Sequence, residues 1–137
     1  MPVLPRPTVS PSPDAAEFWN GAREQRLMLP FCNACRTHFF YPRSGCPSCG
    51  SRDLTWTEAS GRGEVYSFCI HHNTSIAELR GALPFVTALI TLQEKPRMMA
   101  YLVGVEPNPA AIRCGMPVEV TFIESANGFM VPAFRPT

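Results

Sequence analysis

Two pairs of cysteines lie close together in the stretch Phe31-Cys-Asn-Ala-Cys-Arg-Thr-His-Phe-Phe-Tyr-Pro-Arg-Ser-Gly-Cys-Pro-Ser-Cys-Gly50, with the spacing C-x2-C-x10-C-x2-C. A C-x-x-C pair puts two thiolates on one tight turn. Two such turns that face each other give tetrahedral four-sulfur coordination, which suits Zn2+. Four protein ligands leave no position for water, so the ion is expected to be structural. The predicted zinc ligands are Cys32, Cys35, Cys46 and Cys49.

The two cysteine turns differ in the residue that follows each of them. Gly50 follows Cys49 at a position where such turns often need a positive φ, whereas Arg36 follows Cys35. Iron in a rubredoxin-like four-sulfur site and a pair of redox disulfides are the chemical alternatives to zinc.

The N-terminal segment is rich in proline. Residues 1–13 carry prolines at positions 2, 5, 7, 11 and 13, which excludes a helix and favours an extended arm with polyproline character. Such an arm is either a disordered tail or a segment that docks on a partner.

A short N-terminal helix is predicted over residues 14–26. Ser12 is a suitable N-cap, and Pro13 suits the first helical position. Helical spacing places Phe18 and Trp19 on one apolar face. This face packs either on its own domain or on another protein, because large aromatic residues are frequent anchors at interfaces. Phe18 and Trp19 are therefore the candidate partner-binding residues.

The chain after the helix divides into two β units. Residues 27–58 form the predicted zinc ribbon, with an entry strand over 27–31 and an exit strand over 50–58. Residues 59–137 open on the bend Ser60-Gly-Arg-Gly63 and contain short segments rich in β-forming residues, separated by turn residues. The predicted strands are 64–72, 85–92, 98–105, 118–124 and 130–134. Five short strands favour a five-stranded OB-fold barrel, with an open sandwich as the alternative, and residues 73–83 are either a short helix or a loop.

Composition and charge restrict the functional classes. Twelve basic residues oppose eleven acidic ones, which leaves a net charge of +1, and residues 61–137 carry six of each sign. This balance argues against a dedicated nucleic-acid binder, which needs clustered positive charge. No apolar run is long enough to cross a membrane, and no signal-peptide pattern opens the sequence. We therefore expect a cytoplasmic protein without membrane contact, whose cysteines stay reduced.

The remaining reactive side chains form no catalytic pattern. The adjacent His71 and His72 point to opposite faces of a strand and cannot hold one metal together. Cys69 lies in an apolar context and is predicted to be in the core, whereas Cys114 is predicted to lie in a turn. The sequence contains no nucleophile-elbow motif, Walker loop or dinucleotide fingerprint. These features indicate a binding or accessory protein rather than a self-sufficient enzyme.

The order of these motifs resembles the DUF35 family. The resemblance covers residues 14–134 and depends on Phe18-Trp19, the two cysteine turns, the loop Phe40-Tyr-Pro-Arg43 and the barrel entry Gly61-Arg-Gly-Glu-Val-Tyr-Ser67. It implies a mainly β fold with a short N-terminal helix, a rubredoxin-like zinc ribbon and a C-terminal OB-fold.

The resemblance also implies a place beside acyl-CoA chemistry. Members of the family accompany thiolase-like proteins, so the expected function is a non-catalytic accessory subunit with no activity alone. It would help to form the acyl-CoA channel of an aldolase, thiolase or acyltransferase, in steroid, fatty-acid or aromatic acyl-CoA metabolism. The expected assembly is a hetero-oligomer with two copies of each chain. Arg36 and Arg43 are candidate contacts for CoA phosphates, because guanidinium groups pair with phosphate oxygens.

Nucleic-acid binding is the alternative function, because zinc ribbons and OB-folds both occur in proteins that bind DNA or RNA. The even balance of charge in residues 61–137 argues against it.

Overall fold

A computed structural model describes residues 3–137, and Met1 and Pro2 of the predicted arm lie outside the described residues. The described chain forms a short helix, a three-stranded ribbon and a five-stranded barrel, in that order. A 3₁₀ turn, Pro13–Ala15, leads into the helix α1, Ala16–Arg23. The ribbon strands are β1 Met28–Cys32, β2 Thr37–His38 and β3 Leu54–Glu58. The barrel strands are β4 Arg62–His71, β5 Phe85–Leu92, β6 Arg97–Leu102, β7 Pro117–Glu124 and β8 Met130–Pro136, and a second 3₁₀ turn, Ala77–Ala82, follows β4.

The helix ends at Arg23 rather than at the predicted residue 26, because the chain turns away at Gln25, whose φ is 64°. The amide of Arg26 donates to the carbonyl oxygen of Gly21 at 2.8 Å, and the amide of Gln25 donates to that of Ala22 at 3.0 Å. These two bonds form a Schellman motif, in which a residue with positive φ closes the helix.

The start of the helix matches the prediction only in part. Pro13 lies in the first helical turn as expected, but the side chain of Ser12 makes no capping hydrogen bond. The carbonyl oxygen of Ser12 instead accepts a hydrogen bond from the amide of Ala15 at 3.0 Å, which begins a 3₁₀ turn. The predicted Ser12 side-chain cap is therefore wrong.

The proline-rich arm is extended, as predicted, but it docks on the chain's own barrel. The amide of Val9 donates to Asn127 Oδ1 at 3.0 Å, and Asn127 Nδ2 donates to the carbonyl oxygen of Val9 at 2.8 Å. The carbonyl oxygen of Pro7 accepts from the amide of Ala126 at 2.9 Å, and Pro5 is buried. The segment from Pro5 to Val9 is therefore held on the barrel and is not a disordered tail.

The ribbon is a small antiparallel sheet in the order β2-β1-β3. Its exit strand begins at Leu54, later than the predicted residue 50, because residues 50–53 still wrap the second cysteine turn, where the amide of Cys46 donates to the carbonyl oxygen of Ser51 at 2.9 Å. The sequence did not predict β2, whose two residues are too few to give a pattern.

The barrel confirms the predicted OB-fold. Its strands close in the order β4-β5-β6-β8-β7, and β6 and β8 are the parallel neighbours. The side chains of Val65, Ile90, Val118 and Phe134 are at most 1% exposed and fill its interior. At these sites apolar burial supplies the main stabilisation.

A bulge in β4 changes which side chains face the barrel interior. The pairing with β5 shifts between Val65 and Ser67, so the alternation of inward and outward residues changes phase there. Phe68 and Ile70 then pack on the core, and Cys69 is exposed. The predicted placement of Cys69 in the core is therefore wrong.

The entry to the barrel needs its second glycine. A Cβ atom on Gly63 would lie 2.6 Å from the carbonyl oxygen of Thr91 and 2.9 Å from Ile90 Cγ2. Because the first of these atoms is backbone, the clash has no cheap relief. Gly63 therefore lets β4 pass close to β5 at the point where the barrel begins.

The ribbon and the barrel share one hydrophobic core. Leu27, Leu29 and Ala59 from the ribbon side belong to the same buried cluster as the barrel interior, and Phe18 of α1 joins it. The segments next to the zinc site are thereby held against the barrel. No helix of residues 3–137 combines the length and apolar character that crossing a lipid bilayer requires.

Candidate functional site

The four predicted cysteines meet at one point between the two turns of the ribbon. Their sulfur atoms all lie within 4.8 Å of one another. Cys32 Sγ and Cys49 Sγ are 3.6 Å apart, as are Cys35 Sγ and Cys46 Sγ. Zn–S bonds of about 2.3 Å in a tetrahedron place neighbouring sulfurs about 3.8 Å apart. The cluster therefore has the size and the donor set of a structural Zn2+ site.

In both cysteine turns a backbone amide points at the sulfur of the first cysteine, from the third residue after it in one turn and the second residue after it in the other. The amide of Cys35 approaches Cys32 Sγ at 3.4 Å, and in the second turn the amide of Ser48 approaches Cys46 Sγ at the same distance. Amide groups that point at sulfur stabilise the negative charge of a metal-bound thiolate.

The thiols of the second turn differ in acidity when no metal is bound. The backbone N–H of Cys49 is the main cause that lowers the pKa of Cys46, to about 6. The backbone N–H of Ser51 lowers the pKa of Cys49, but the neighbouring thiols, led by Cys32, and burial outweigh it and raise that pKa to about 11. The cluster thus holds protons that a bound cation displaces, so metal binding releases protons.

Around the sulfur cluster the ribbon has little apolar core of its own. Its buried cluster consists of Cys32, Phe39 and Cys46, with Leu54 packed against it, and two of these four residues are metal ligands. A metal ion therefore replaces most of the core that this module lacks. His38, which lies in the same module, is turned away toward Thr57, with 2.9 Å between His38 Nε2 and Thr57 Oγ1.

Three arginines of the ribbon, Arg36, Arg43 and Arg52, are exposed, and the ion pairs of the described residues involve none of them. They are available to offset the formal negative charge of a zinc ion bound to four thiolates, or to contact an external anion. Arg36 and Arg43 thus remain candidate contacts for phosphate.

The structure separates the two predicted aromatic contacts. Phe18 is 6% exposed, packs edge-on against Trp19 and meets Phe40 of the ribbon loop at a tilted angle. Trp19 is only partly buried and meets Phe129 at a centroid distance of 5.8 Å. In the isolated chain, Phe18 is therefore a core residue, and only Trp19 presents a surface to another molecule.

Trp19 borders an apolar groove that the sequence did not reveal. We call it the β6 groove; its volume is about 500 Å³, and it lies between α1, the ribbon loop and the strands β6 and β8. Residues that line it include Trp19, Phe40, Tyr41, Met99, Val131 and Pro132. Apolar clefts of this size are typical of binding sites.

The other residues considered at the sequence level do not come together. His71 stacks on Phe85 and lies 2.9 Å from Thr87 Oγ1, whereas His72 is exposed. Cys114 lies in an exposed turn, as predicted. The side-chain polar contact of His71 is thus the Thr87 hydroxyl group.

Family comparisons match both β units of the chain. The family model described as "ChsH2, rubredoxin-like zinc ribbon domain" matches residues 19–55, and the model described as "ChsH2, C-terminal OB-fold domain" matches residues 56–122. The first match and the sulfur geometry together establish a structural zinc ribbon.

Two longer relatives are named as hydratase subunits. The chain is 36% identical over 134 residues to a probable enoyl-CoA hydratase alpha subunit of Thermomonospora curvata, a match that covers 98% of this chain and 40% of that protein. It is also 34% identical over 116 residues to the 3-oxo-4,17-pregnadiene-20-carboxyl-CoA hydratase alpha subunit of Mycobacterium tuberculosis. This second match covers 84% of this chain and 35% of that protein. The chain thus spans two fifths or less of the length of these relatives.

Two other proteins match over three quarters or more of their own length. A DUF35 domain-containing scaffold protein of Pyrococcus furiosus is 35% identical over 107 residues, 77% of this chain and 75% of that protein. A solved structure described as an "Ltp2-ChsH2(DUF35) aldolase" contains a chain that superposes with a TM-score of 0.82 at 35% identity, with 94% of this chain and 98% of that chain covered.

Proposed function

The chain belongs to the DUF35 family, and from that premise we propose that it is a non-catalytic accessory subunit that binds a thiolase-like partner and helps to form the partner's acyl-CoA channel. The observation that carries the proposal is the match to a DUF35 chain of a solved aldolase, because it extends over 98% of that chain. In this proposal the partner, an aldolase, thiolase or acyltransferase, supplies the catalytic residues.

The names of the relatives support acyl-CoA chemistry as the setting. Two hydratase alpha subunits act, by name, on CoA thioesters, and one of these substrates has a steroid skeleton. Steroid, fatty-acid or aromatic acyl-CoA compounds are accordingly the proposed substrates of the partner. The proposed assembly contains two copies of each chain, because thiolase-like proteins are usually dimers.

The geometry of the molecule supports a bracing role. The zinc ion stiffens a ribbon that has little core of its own, and the shared hydrophobic core fixes that ribbon to the barrel. Trp19 and the β6 groove then form one preformed face for a partner, because Trp is frequent among the residues that anchor interfaces. Arg36 and Arg43 on the exposed side of the ribbon are proposed to contact CoA phosphates.

Coexpression with the thiolase-like protein encoded nearest to this chain tests the proposal. We expect the two proteins to copurify as a hetero-oligomer, and Trp19→Ala to weaken the complex by about tenfold or more. Ile76→Ala is the matched control, since Ile76 is an exposed apolar residue that does not line the β6 groove. Separate elution of the two wild-type proteins would contradict the proposal.

Nucleic-acid binding, the alternative, has limited support from the barrel surface. Tyr66 is exposed, and the guanidinium carbon of Arg97 lies 3.8 Å from the centre of its ring. One stacked pair on a barrel without net charge is not the basic groove with several aromatic residues that single-strand binders use. Tight, salt-sensitive binding in a gel shift would favour this alternative.

A further inference from the structure

One edge of the barrel is unpaired where β6 and β8 separate. The two strands pair only at Tyr101↔Ala133 and Leu102↔Phe134, so residues 97–100 of β6 face no strand on that side among the described residues. The amide of Met99 points into this opening and donates to the hydroxyl oxygen of Tyr41 at 3.2 Å. Such an edge is a template on which another extended chain can pair.

This free edge forms one wall of the β6 groove. Met99 is 59% exposed although it lies in the middle of a barrel strand. On the opposite side stands Pro132 of β8, which has no N–H group to donate. β6 therefore offers the Met99 amide as a donor to an occupant of the groove, whereas Pro132 offers none. The free length of β6, four residues over 97–100, corresponds to about 13 Å of extended chain.

Charge at the rim of the groove differs between its two sides, and the side along β6 is basic. The residues that line the groove are uncharged. The neighbours in sequence on the β6 and ribbon-loop side are Arg97, next to Met98, and Arg43, next to Pro42, whereas on the helix side they are Asp14 and Glu17. Arg97 contacts Thr91 Oγ1 and the ring of Tyr66. Neither Arg43 nor Arg97 takes part in an ion pair among the described residues. A carboxylate at the end of a bound segment would complement them.

We propose that the β6 groove receives a short extended segment of the partner polypeptide, which pairs with residues 97–100 of β6 as an added strand. The segment carries apolar side chains at alternate positions, which contact Trp19, Phe40 and Val131, and at least one Asp or Glu at its end. This mode of recognition takes affinity from backbone hydrogen bonds and specificity from alternate side chains. The inference rests on the proposed function, because it specifies how the accessory subunit holds its partner.

Tyr41 has a defined role in this proposal. Its hydroxyl oxygen occupies the hydrogen-bonding position of the Met99 amide that the incoming strand would take. Replacing the phenol by phenyl frees that amide and leaves the apolar wall in place. The variant Tyr41→Phe is therefore expected to bind the partner about threefold more tightly, the value of one ordinary hydrogen bond.

Backbone amide hydrogen exchange on the complex of the full chain with its thiolase-like partner is the test. Strand addition slows exchange of the Met99 amide by about tenfold or more on complex formation. The Val120 amide, which already donates to Gly61 at 2.7 Å, is the internal control and keeps its rate. A complex that leaves Met99 unprotected overturns the inference and leaves the proposed function intact.

Charge reversal provides a second readout on the same complex. Arg97→Glu weakens partner binding by about tenfold, whereas Arg80→Glu, the same change on an exposed turn outside the groove, leaves it unchanged. Equal effects of both variants would contradict the acidic segment.

A peptide probe separates the two proposals if no complex forms. The probe is acetyl-Thr-Val-Thr-Val-Asp-amide, with acetyl-Thr-Val-Pro-Val-Asp-amide as the control that cannot pair. Shifts of the Met99 amide resonance with the first peptide alone support the free edge as a strand-binding site, even without the thiolase-like partner. No shift with either peptide and no complex overturns both proposals.

Discussion

Arg36 and Gly50 occupy equivalent places in the two cysteine turns, and both have a positive φ, 57° and 77° respectively. Each follows the second cysteine of its turn and donates its amide to the carbonyl oxygen of the first, Arg36 to Cys32 at 2.7 Å and Gly50 to Cys46 at 2.8 Å. A left-handed conformation costs a non-glycine residue about 1–2 kcal/mol, so the first turn holds a strain that the second avoids.

Exchanging the residue type at these two positions should change stability in opposite directions. Gly50→Ala should lower the free energy of unfolding of the zinc-loaded protein by about 1 kcal/mol, although no atom lies within 4 Å of the added Cβ. Arg36→Gly should raise it by up to about 1 kcal/mol, because the strain is relieved. Denaturant unfolding at saturating zinc measures both, and a destabilised Arg36→Gly would contradict the strain.

Removing the metal should loosen the ribbon before the barrel. The ribbon's buried cluster is largely made of ligands, whereas the barrel core contains fully buried residues such as Ile90 and Phe134. A chelator should therefore speed amide exchange in residues 32–54 and leave Ile90 protected. Cys46→Ser should lower bound zinc from one equivalent per chain to well below one, while Cys114→Ser, in an exposed turn, should not. Uniform loss of protection would show that the barrel depends on the metal as well.

A methyl group at Gly63 should disrupt the barrel entry. Gly63→Ala puts a Cβ 2.6 Å from the carbonyl oxygen of Thr91, and an overpacked site of this kind costs about 2 kcal/mol or more. Gly81→Ala is the control, because nothing lies within 4 Å of its added Cβ. Thermal unfolding compares the two, and equal melting temperatures would show that β4 and β5 separate easily.

Removing the side chain of Asn127 should release the N-terminal arm. Asn127→Ala deletes both side-chain hydrogen bonds to Val9 and the one that Asn127 accepts from the Ser125 hydroxyl in the same turn, and it removes no side chain of the barrel core. Proteolysis within residues 3–12 should accelerate by about tenfold while the melting temperature changes little, because arm contacts are local. Unchanged cleavage would mean that the buried Pro5 and the bond from Ala126 to Pro7 hold the arm alone.

The sequence predicted the parts of the fold that depend on short-range patterns. The spacing of four cysteines gave the metal centre, and β-forming residues between turns gave β5 at its observed bounds, Phe85–Leu92. The bulge between Val65 and Ser67 could not be predicted from the sequence, because it depends on how β4 pairs with β5. As a result of the bulge, Cys69 is exposed and does not lie in the core.

Long-range packing explains what the sequence did not show at the candidate site. Phe18 and Trp19 lie side by side in the sequence, yet Phe40 from the ribbon covers Phe18 and leaves Trp19 partly open. The β6 groove likewise depends on where β6 and β8 separate, and Tyr41 and Met99 meet across 58 positions of sequence. No local pattern carries that information.

Acyl-CoA turnover in three parallel samples distinguishes an accessory subunit from an enzyme. The samples contain this chain alone, the thiolase-like partner alone, and both together, with a panel of β-hydroxyacyl-CoA and β-ketoacyl-CoA thioesters as substrates. We expect no turnover by this chain alone and a rate for the mixture about tenfold or more above that of the partner alone. Turnover by the isolated chain, or a partner whose stability and rate do not respond to it, would contradict the claim of a non-catalytic accessory subunit.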